Sequence, residues 1–198
     1  MTQVDVNGIR EAIRKRYAGV SEYGPGRFAY LTGRAGALAL GYEPSLLDRI
    51  PEDALAGFCG VGNPFALGAL QSGEAILDVG CGAGVDLLIA AGLVGWKGRV
   101  GGLDLTPEMA EKARANLRRI GLPNVEVAVG AAESLPFEDA SFDVVISNGV
   151  LNLSPVKEQA YRELYRVLRP GGRLQFADIV LKEDLPPEVV GSLDAWSD

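Results

Sequence analysis

The stretch best suited to chemistry is Leu77-Asp78-Val79-Gly80-Cys81-Gly82-Ala83-Gly84. Glycines at alternate positions let a backbone come close to a ligand, and a helix starting there aims its first N–H groups at the same place. The spacing is G-x-G-x-G. A dinucleotide fingerprint counted from Gly80 would need its last glycine at position 85, which is Val85, and no Lys-Ser or Lys-Thr follows to make a phosphate loop. Taken alone the turn reads equally well as a tight strand-to-helix connection with no ligand. It has company, however. Asp104 follows Asp78 by 26 residues, the right place for a carboxylate at the end of a second strand to accept hydrogen bonds from ribose hydroxyls. Gly130-Ala131-Ala132-Glu133-Ser134-Leu135-Pro136-Phe137 follows a third apolar run and is placed to hold an adenine, and Ser147-Asn148-Gly149 ends a fourth. Four strand ends of this kind point to a nucleoside bound across the carboxyl edge of a sheet.

These residues must be held by elements that can be read from periodicity. From residue 75 onward short apolar runs alternate with helical patterns, the mark of an α/β chain whose parallel sheet lies between helices. The expected strands are Ala75 to Val79, Arg99 to Asp104, Val125 to Val129, Phe142 to Ile146 and Leu174 to Ile179. Gly84 to Val94 is almost continuously apolar and reads as a helix buried on the sheet. The next helix carries Thr106 as a cap, Pro107 in its first turn and an apolar face of Ala110, Ala113, Leu117 and Ile120, and it stops at Gly121. A last helix opens at Ser154-Pro155, should turn Tyr161, Leu164, Tyr165 and Leu168 to the core, and breaks at Arg169-Pro170-Gly171-Gly172. Residues 1–72 begin with a helix over Val6 to Tyr17 and continue as short helical pieces. With too few apolar residues for a core of their own, they read as a helical cap on the ligand edge of the 73–198 domain.

Composition removes several chemistries. The 198 residues include no His, so Ser-His-Asp hydrolysis, Cys-His proteolysis and His-ligated metal centres are excluded. Two Cys, Cys59 and Cys81, are too few to staple a chain of this size, which suits a reducing cytoplasmic setting. There is no signal-peptide pattern and no apolar run of bilayer length, so no membrane role is expected. A net charge of −7 argues against nucleic acid as a partner, and the basic excess of residues 1–40 reads as a solvated helix face with a basic loop. No metal site is expected.

With these residues in hand, the sequence resembles the Rossmann-like methyltransferases that use S-adenosylmethionine. Leu77 to Gly84 is similar to their first motif, Asp104 to their ribose-binding acid, Ala132-Glu133-Ser134-Leu135-Pro136-Phe137 to their adenine loop, and Leu168-Arg169-Pro170-Gly171-Gly172 to the turn before their fifth strand. The resemblance implies S-adenosyl-L-methionine as cofactor. It would be held by Asp78, Gly80, Cys81, Gly82, Gly84, Asp104, Leu105, Thr106, Ala132, Glu133 and Asn148. Ala131 stands where that family often has an Asp for the adenine amine.

Within the superfamily the chain is most similar to arsenite methyltransferases, through Gly60-Val61-Gly62-Asn63-Pro64, Leu105-Thr106-Pro107-Glu108-Met109 and Ser147-Asn148-Gly149-Val150-Leu151-Asn152-Leu153-Ser154. That resemblance implies cysteines at 61 and 149, where Val61 and Gly149 stand. Cys59, Asn63, Gly149 and Asn152 are the candidate acceptor residues, and both cysteines read first as small packing residues. No catalytic side chain is singled out. The expected function is methyl transfer to a small-molecule acceptor. The alternatives are a cofactor-binding module without turnover and a shortened arsenite methyltransferase with little activity alone. The expected sheet order is 3-2-1-4-5. The final antiparallel strands that the resemblance implies find no room after the fifth strand, so that strand is left at an edge open to a second copy.

Overall fold

The computed structural model describes residues 5–23, 28–122 and 125–182. Its centre is β1 (Ala75–Val79), five residues that are all buried. A strand covered on both faces needs no polar alternation, which is why Ala-Ile-Leu-Asp-Val reads as an unbroken run. β2 (Arg99–Asp104) and β3 (Val125–Val129) pair outward on one side of β1, while β4 (Phe142–Asn148) and β5 (Leu168–Ala177) pair on the other. All four pairings are parallel, in the order β3-β2-β1-β4-β5. The crossovers are α5 (Val85–Val94), α6 (Pro107–Ile120) and α7 (Lys157–Val167).

Two apolar clusters fill the faces of the sheet. One joins Ile76, Leu88, Ile89 and Ile146 to Ala37, Tyr42, Leu47, Leu55 and Phe58 from the N-terminal part of the chain; the other joins Leu77, Val79, Phe142 and Val145 to Leu151, Leu164 and Val167. The helices α2 (Gly33–Ala39), α3 (Pro44–Leu47) and α4 (Glu52–Leu55) therefore share a core with the sheet. The first helix, α1 (Val6–Tyr23), runs six residues beyond the sequence expectation and buries Ile9, Ile13 and Val20. It lies along α6, where the Arg14 Nε donates to the Leu105 carbonyl at 3.3 Å and the Lys112 Nζ to the Ser21 carbonyl at 3.1 Å. Among the described residues no helix is long and apolar enough to cross a membrane.

Three local expectations need correction. β5 starts at Leu168 rather than Leu174: Leu168 pairs with Phe142 and Arg173 with Val144, and the Pro-Gly-Gly between them is absorbed as a bulge in the strand. Thr106 stands at the N-cap of α6, but its side chain makes no capping bond to the helix. On α7 the buried stripe is Ala160, Leu164 and Val167, whereas Tyr161 is 41% and Tyr165 83% exposed. An i, i+4, i+7 stripe of smaller side chains fits against the sheet, and Tyr161 instead rests edge-on against Phe176 at the rim, with ring centroids 6.2 Å apart. The stretch after the fifth strand, where the sequence leaves no room for antiparallel strands, lies outside the described residues from 183 onward.

Leu164→Ala should lower unfolding free energy by about 2–5 kcal/mol, the usual result of emptying a buried leucine site, and Tyr165→Ala by less than about 0.5 kcal/mol. Urea denaturation of the two variants measures the difference; equal losses would restore the aromatic face to the core.

Candidate functional site

The glycine turn owes its shape to what lies around each glycine. Gly80, Gly82 and Gly84 have φ of 78°, 52° and 91°, a left-handed region that other residues enter at a cost. The N–H groups of Gly80 and Cys81 both donate to the Leu103 carbonyl, at 2.7 and 2.9 Å, and stitch the turn to β2. A Cβ on Gly80 would meet the Val150 side chain at 2.2 Å, and one on Gly84 would press on the Ala113 Cβ at 3.2 Å, so Gly84 serves the approach of α5 to α6. Above Gly82 there is nothing within 4 Å, because that space is the cleft. Cys81 is buried beneath the turn with its sulfur toward Gly102 of β2, and burial pushes its thiol well above the usual range.

Asp104 closes the turn. One carboxylate oxygen accepts the Gly82 N–H and the other the Thr106 N–H, both at 2.8 Å, which leaves acceptor capacity on each oxygen facing the cleft. Burial raises its pKa and those backbone bonds oppose the rise. Asp78 is 2% exposed and its Oδ2 has no hydrogen-bond partner among the described residues. Its pKa is pushed well up, first by burial and then by the charges of Asp86 and Asp104. A buried, unpaired carboxylate oxygen beside two more acids is a place where a cation would be strongly stabilised.

A partly open cleft, about 750 Å³ including the space open to solvent at its mouth, lies at the carboxyl edge of β1, β2 and β4. Gly80, Gly82, Asp104, Leu105, Thr106 and Met109 form one side; Ala131, Ala132 and Glu133 lie at one end; Cys59, Asn148, Gly149 and Val150 lie at the other. Arg10, Ile13 and Tyr17 of α1 complete the lining. The Glu133 carboxylate accepts the Ser154 hydroxyl at 2.5 Å and pairs with Arg10 at 3.2 Å, so α1 is tied to the loop after β3. The basic face of α1 is thus not wholly solvated, as its sequence suggested. Burial and the nearby charges of Asp104 and Asp86 push the Cys59 thiol up to about 12, so it is not a thiolate near neutrality.

Other sequence candidates have different duties. Asn63 caps the 3-10 turn Pro64–Leu67, its Oδ1 accepting the Phe65 N–H at 3.0 Å while its Nδ2 donates to the Gly41 carbonyl at 2.9 Å. Asn152 gives its N–H to Asp178 at 2.7 Å and, like Asn63, is not part of the cleft wall. Asn148 borders the cleft, but its Oδ1 accepts the N–H groups of Val61 and Gly62 at 2.8 and 3.1 Å, and its Nδ2 faces the Gly62 carbonyl and Asp86. Gly149, with φ of 72°, sits where a Cβ would be 3.3 Å from the Val61 methyls. The two positions at which the resemblance implies thiols are therefore neighbours in space. Sequence reasoning missed Arg10 and Tyr17 as cleft residues, although Arg10, Ile13, Arg14 and Tyr17 share one helical stripe. It also missed Asp86, whose signal was a single acid in the otherwise apolar helix Val85–Val94.

Residues 70–197 match the family model described as a methyltransferase domain. The chain belongs to this family. An arsenite methyltransferase from Halobacterium salinarum is 40% identical, over 93% of this chain and 51% of its own length. A demethylmenaquinone methyltransferase from Listeria welshimeri is 42% identical over 55% of this chain and 46% of its own. The solved structure of an arsenic(III) S-adenosylmethionine methyltransferase from Chlamydomonas reinhardtii superposes with a TM-score of 0.67 at 39% identity, covering 75% of this chain and 53% of that one. This chain spans about half the length of the curated relatives it matches.

The buried acids make stability depend on pH in a defined direction. Asp86 is raised from 3.8 to about 6 in the folded state, mainly by burial, so folding binds its proton more tightly and stability rises as pH falls from about 6 towards 4. The carboxylates held low, such as Glu74 beside Arg173 and Asp143 beside Arg169, act the other way: their stabilisation declines as pH falls through the ordinary values of 4.5 and 3.8, where the unfolded chain takes up protons first. Asp86→Asn should remove roughly 2 kcal/mol of the gain between pH 6 and 4. Denaturant titrations at pH 4.5 and 7 test this; the same pH difference in both proteins would refute the assignment.

Proposed function

We propose that this chain is the S-adenosylmethionine-binding part of a methyltransferase that acts on a small organic acceptor, and that it does not turn over arsenite by itself. Family membership supports the reaction class. The buried, unpartnered Asp78 Oδ2 and the open space over Gly82 support the cofactor, because together they suit a ligand with an ammonium at one end and a polar body lying on backbone. Asp78 would take the ammonium, the Gly80 and Gly82 backbone would carry the amino-acid end, and Asp104 would accept from the ribose hydroxyls. Ala132 and the Glu133 backbone would border the adenine, since the Glu133 carboxylate is already shared between Ser154 and Arg10. When bound, the cofactor supplies a methyl group on a sulfonium, already joined to a good leaving group. The residues of this chain then have to align the acceptor and keep water out, and alignment alone is worth many powers of ten in rate. Ile13, Tyr17 and Met109 supply the apolar cover.

The observation that carries the acceptor reading is the pair Val61 and Gly149. A soft As(III) centre calls for converging thiolates, whereas here a methyl-bearing side chain and a bare glycine face each other, and the nearby Cys59 thiol holds its proton. The likeness to demethylmenaquinone methyltransferase fits an organic acceptor. A second reading, arsenite methylation, draws on the 40% identity to the Halobacterium salinarum enzyme.

S-Adenosylhomocysteine should bind in calorimetry, and Asp104→Ala should weaken it at least tenfold, as expected for losing charge-assisted hydrogen bonds. With labelled S-adenosylmethionine, label should pass to members of a panel of hydroxylated aromatic and quinol acceptors. Multiple turnovers to methylarsenicals from arsenite and a thiol reductant would overturn the acceptor assignment, and absence of S-adenosylhomocysteine binding would overturn the cofactor assignment.

A further inference from the structure

Asp86 lies in the first turn of α5, 7% exposed, and takes no part in the chemistry described so far. One of its oxygens accepts the Tyr42 hydroxyl at 2.7 Å and the other accepts the Asn148 Nδ2 at 3.1 Å. Asn148 in turn grips the strap that runs from Cys59 to Gly62: its Oδ1 takes the N–H groups of Val61 and Gly62, and its Nδ2 reaches the Gly62 carbonyl at 2.9 Å. Tyr42 holds both ends of the same strap, its ring edge-on to Phe58 and to Phe65 with centroids 5.3 and 6.0 Å away. The fit is close. A Cβ on Gly60 would lie 2.3 Å from the Asn148 amide nitrogen and one on Gly62 would lie 2.4 Å from the Ala177 Cβ.

A carboxamide has a nearly isosteric alternative, turned by 180°, in which its NH₂ would face the two strap N–H groups and repel them. The observed orientation is held on the far side by three acceptors of Nδ2: the Gly62 carbonyl at 2.9 Å, the Tyr42 hydroxyl at 3.0 Å and Asp86 at 3.1 Å, of which only Asp86 carries a charge. An ionised carboxylate only accepts, so with the Tyr42 hydrogen spent on one oxygen, the other oxygen requires Nδ2 on its side of Asn148. The strap N–H groups then meet Oδ1.

We propose that Asp86 is a positioning residue: by accepting from Tyr42 and Asn148 together, it helps to fix the Asn148 amide and, through it, the Cys59–Gly62 strap that brings Cys59 to the acceptor end of the cleft. This rests on the methyl-transfer reading for its functional meaning. The strap brings Cys59 to the cleft and sets Val61 behind Gly149, while Asp86 sits two residues after Gly84 at the end of the glycine turn. The network thus ties the wall that meets the acceptor to the turn that would meet the cofactor. The titratable groups that face Asp86 are Asp78 on β1, Cys59 on the strap and Tyr42; the first opposes its charge, and the hydroxyl of the last supports it.

Hydrogen exchange of the full chain, followed in the peptide covering 58–65 and corrected for intrinsic pH dependence, reads the strap directly. Exchange in wild type should rise at least fivefold between pH 7.5 and 5, as Asp86 gains a proton. In Asp86→Asn it should be raised already at pH 7.5 and change less than twofold with pH, while a β1 peptide covering 75–79 stays protected in both. Tyr42→Phe should raise strap exchange at pH 7.5 and keep the pH response. S-Adenosylhomocysteine affinity of Asp86→Asn should stay within threefold of wild type, and with an acceptor from the panel its acceptor KM should rise while kcat falls less. A strap that exchanges alike in wild type and Asp86→Asn, or loosens only together with β1, would overturn the positioning role. A strap that responds as expected in a chain that transfers no methyl group would uphold the role and count against the methyl-transfer reading alone.

Discussion

Everything at the carboxyl edge follows from a reversal in strand order. The chain lays down β1, β2 and β3 outward, then returns to place β4 on the other side of β1. Crossovers on the two sides of β1 leave in opposite directions, so no connection covers the edge between them and a crevice opens there. Register does the rest. Val79 is level with Leu103 on one side and with Ser147 on the other, which brings Gly80, Asp104 and Asn148 into one layer just beyond the sheet. Parallel pairing also forces helical returns, so α5 and α6 start at this edge, where first-turn N–H groups without partners inside the helix point outward.

That arrangement concentrates negative charge in a dry place. Asp78, Asp86 and Asp104 are all buried, and each is raised above its ordinary pKa mainly by that burial. They are compensated unequally. Asp104 has two backbone donors, Asp86 has a phenol and an amide, and Asp78 has the Leu87 N–H on its side of the balance and one oxygen with no partner. Of the three acids only the one next to the glycine turn has an oxygen without a partner among the described residues, so the compensation is weakest there.

The legible parts of the sequence were those in which one local rule decides the outcome. β1 and β2 have the bounds read from their apolar runs, because a strand buried on both faces admits hardly any polar residue, while β3, an edge strand with no buried residue, kept its bounds through the alternation of Val125, Val127 and Val129. The parallel sheet followed from the alternation of strands and helices, and its order from the resemblance to Rossmann-like methyltransferases. Less legible were features settled by distant partners. The roles of Arg10 and Glu133 emerge only when residues far apart in the chain meet across the cleft. Tyr161 and Tyr165 misled because large amphipathic rings are as comfortable at a rim as in a core. Pro170-Gly171-Gly172 looked like a break, yet an edge strand tolerates a bulge that a central strand would not.

The two ends of the cleft differ in how they are specified, and this bears on what similarity can say about them. At the glycine turn the contacts on offer are backbone N–H groups, left-handed glycines and one carboxylate fixed by backbone, so the geometry persists as long as the turn does. At the end proposed for the acceptor the backbone is again fixed, by Asn148 and by glycines that admit no side chain, but the surface is written by Cys59 and the vacant Cβ position of Gly149, with Val61 behind it. Exchanging those side chains changes the chemistry of the wall without moving it. An overall identity of 40% therefore does not by itself specify the wall. At the wall itself a thiolate pair and a valine facing a glycine are opposite environments, one soft and charged, the other apolar and neutral, so the acceptor has to be inferred from the side chains present rather than from the shared frame.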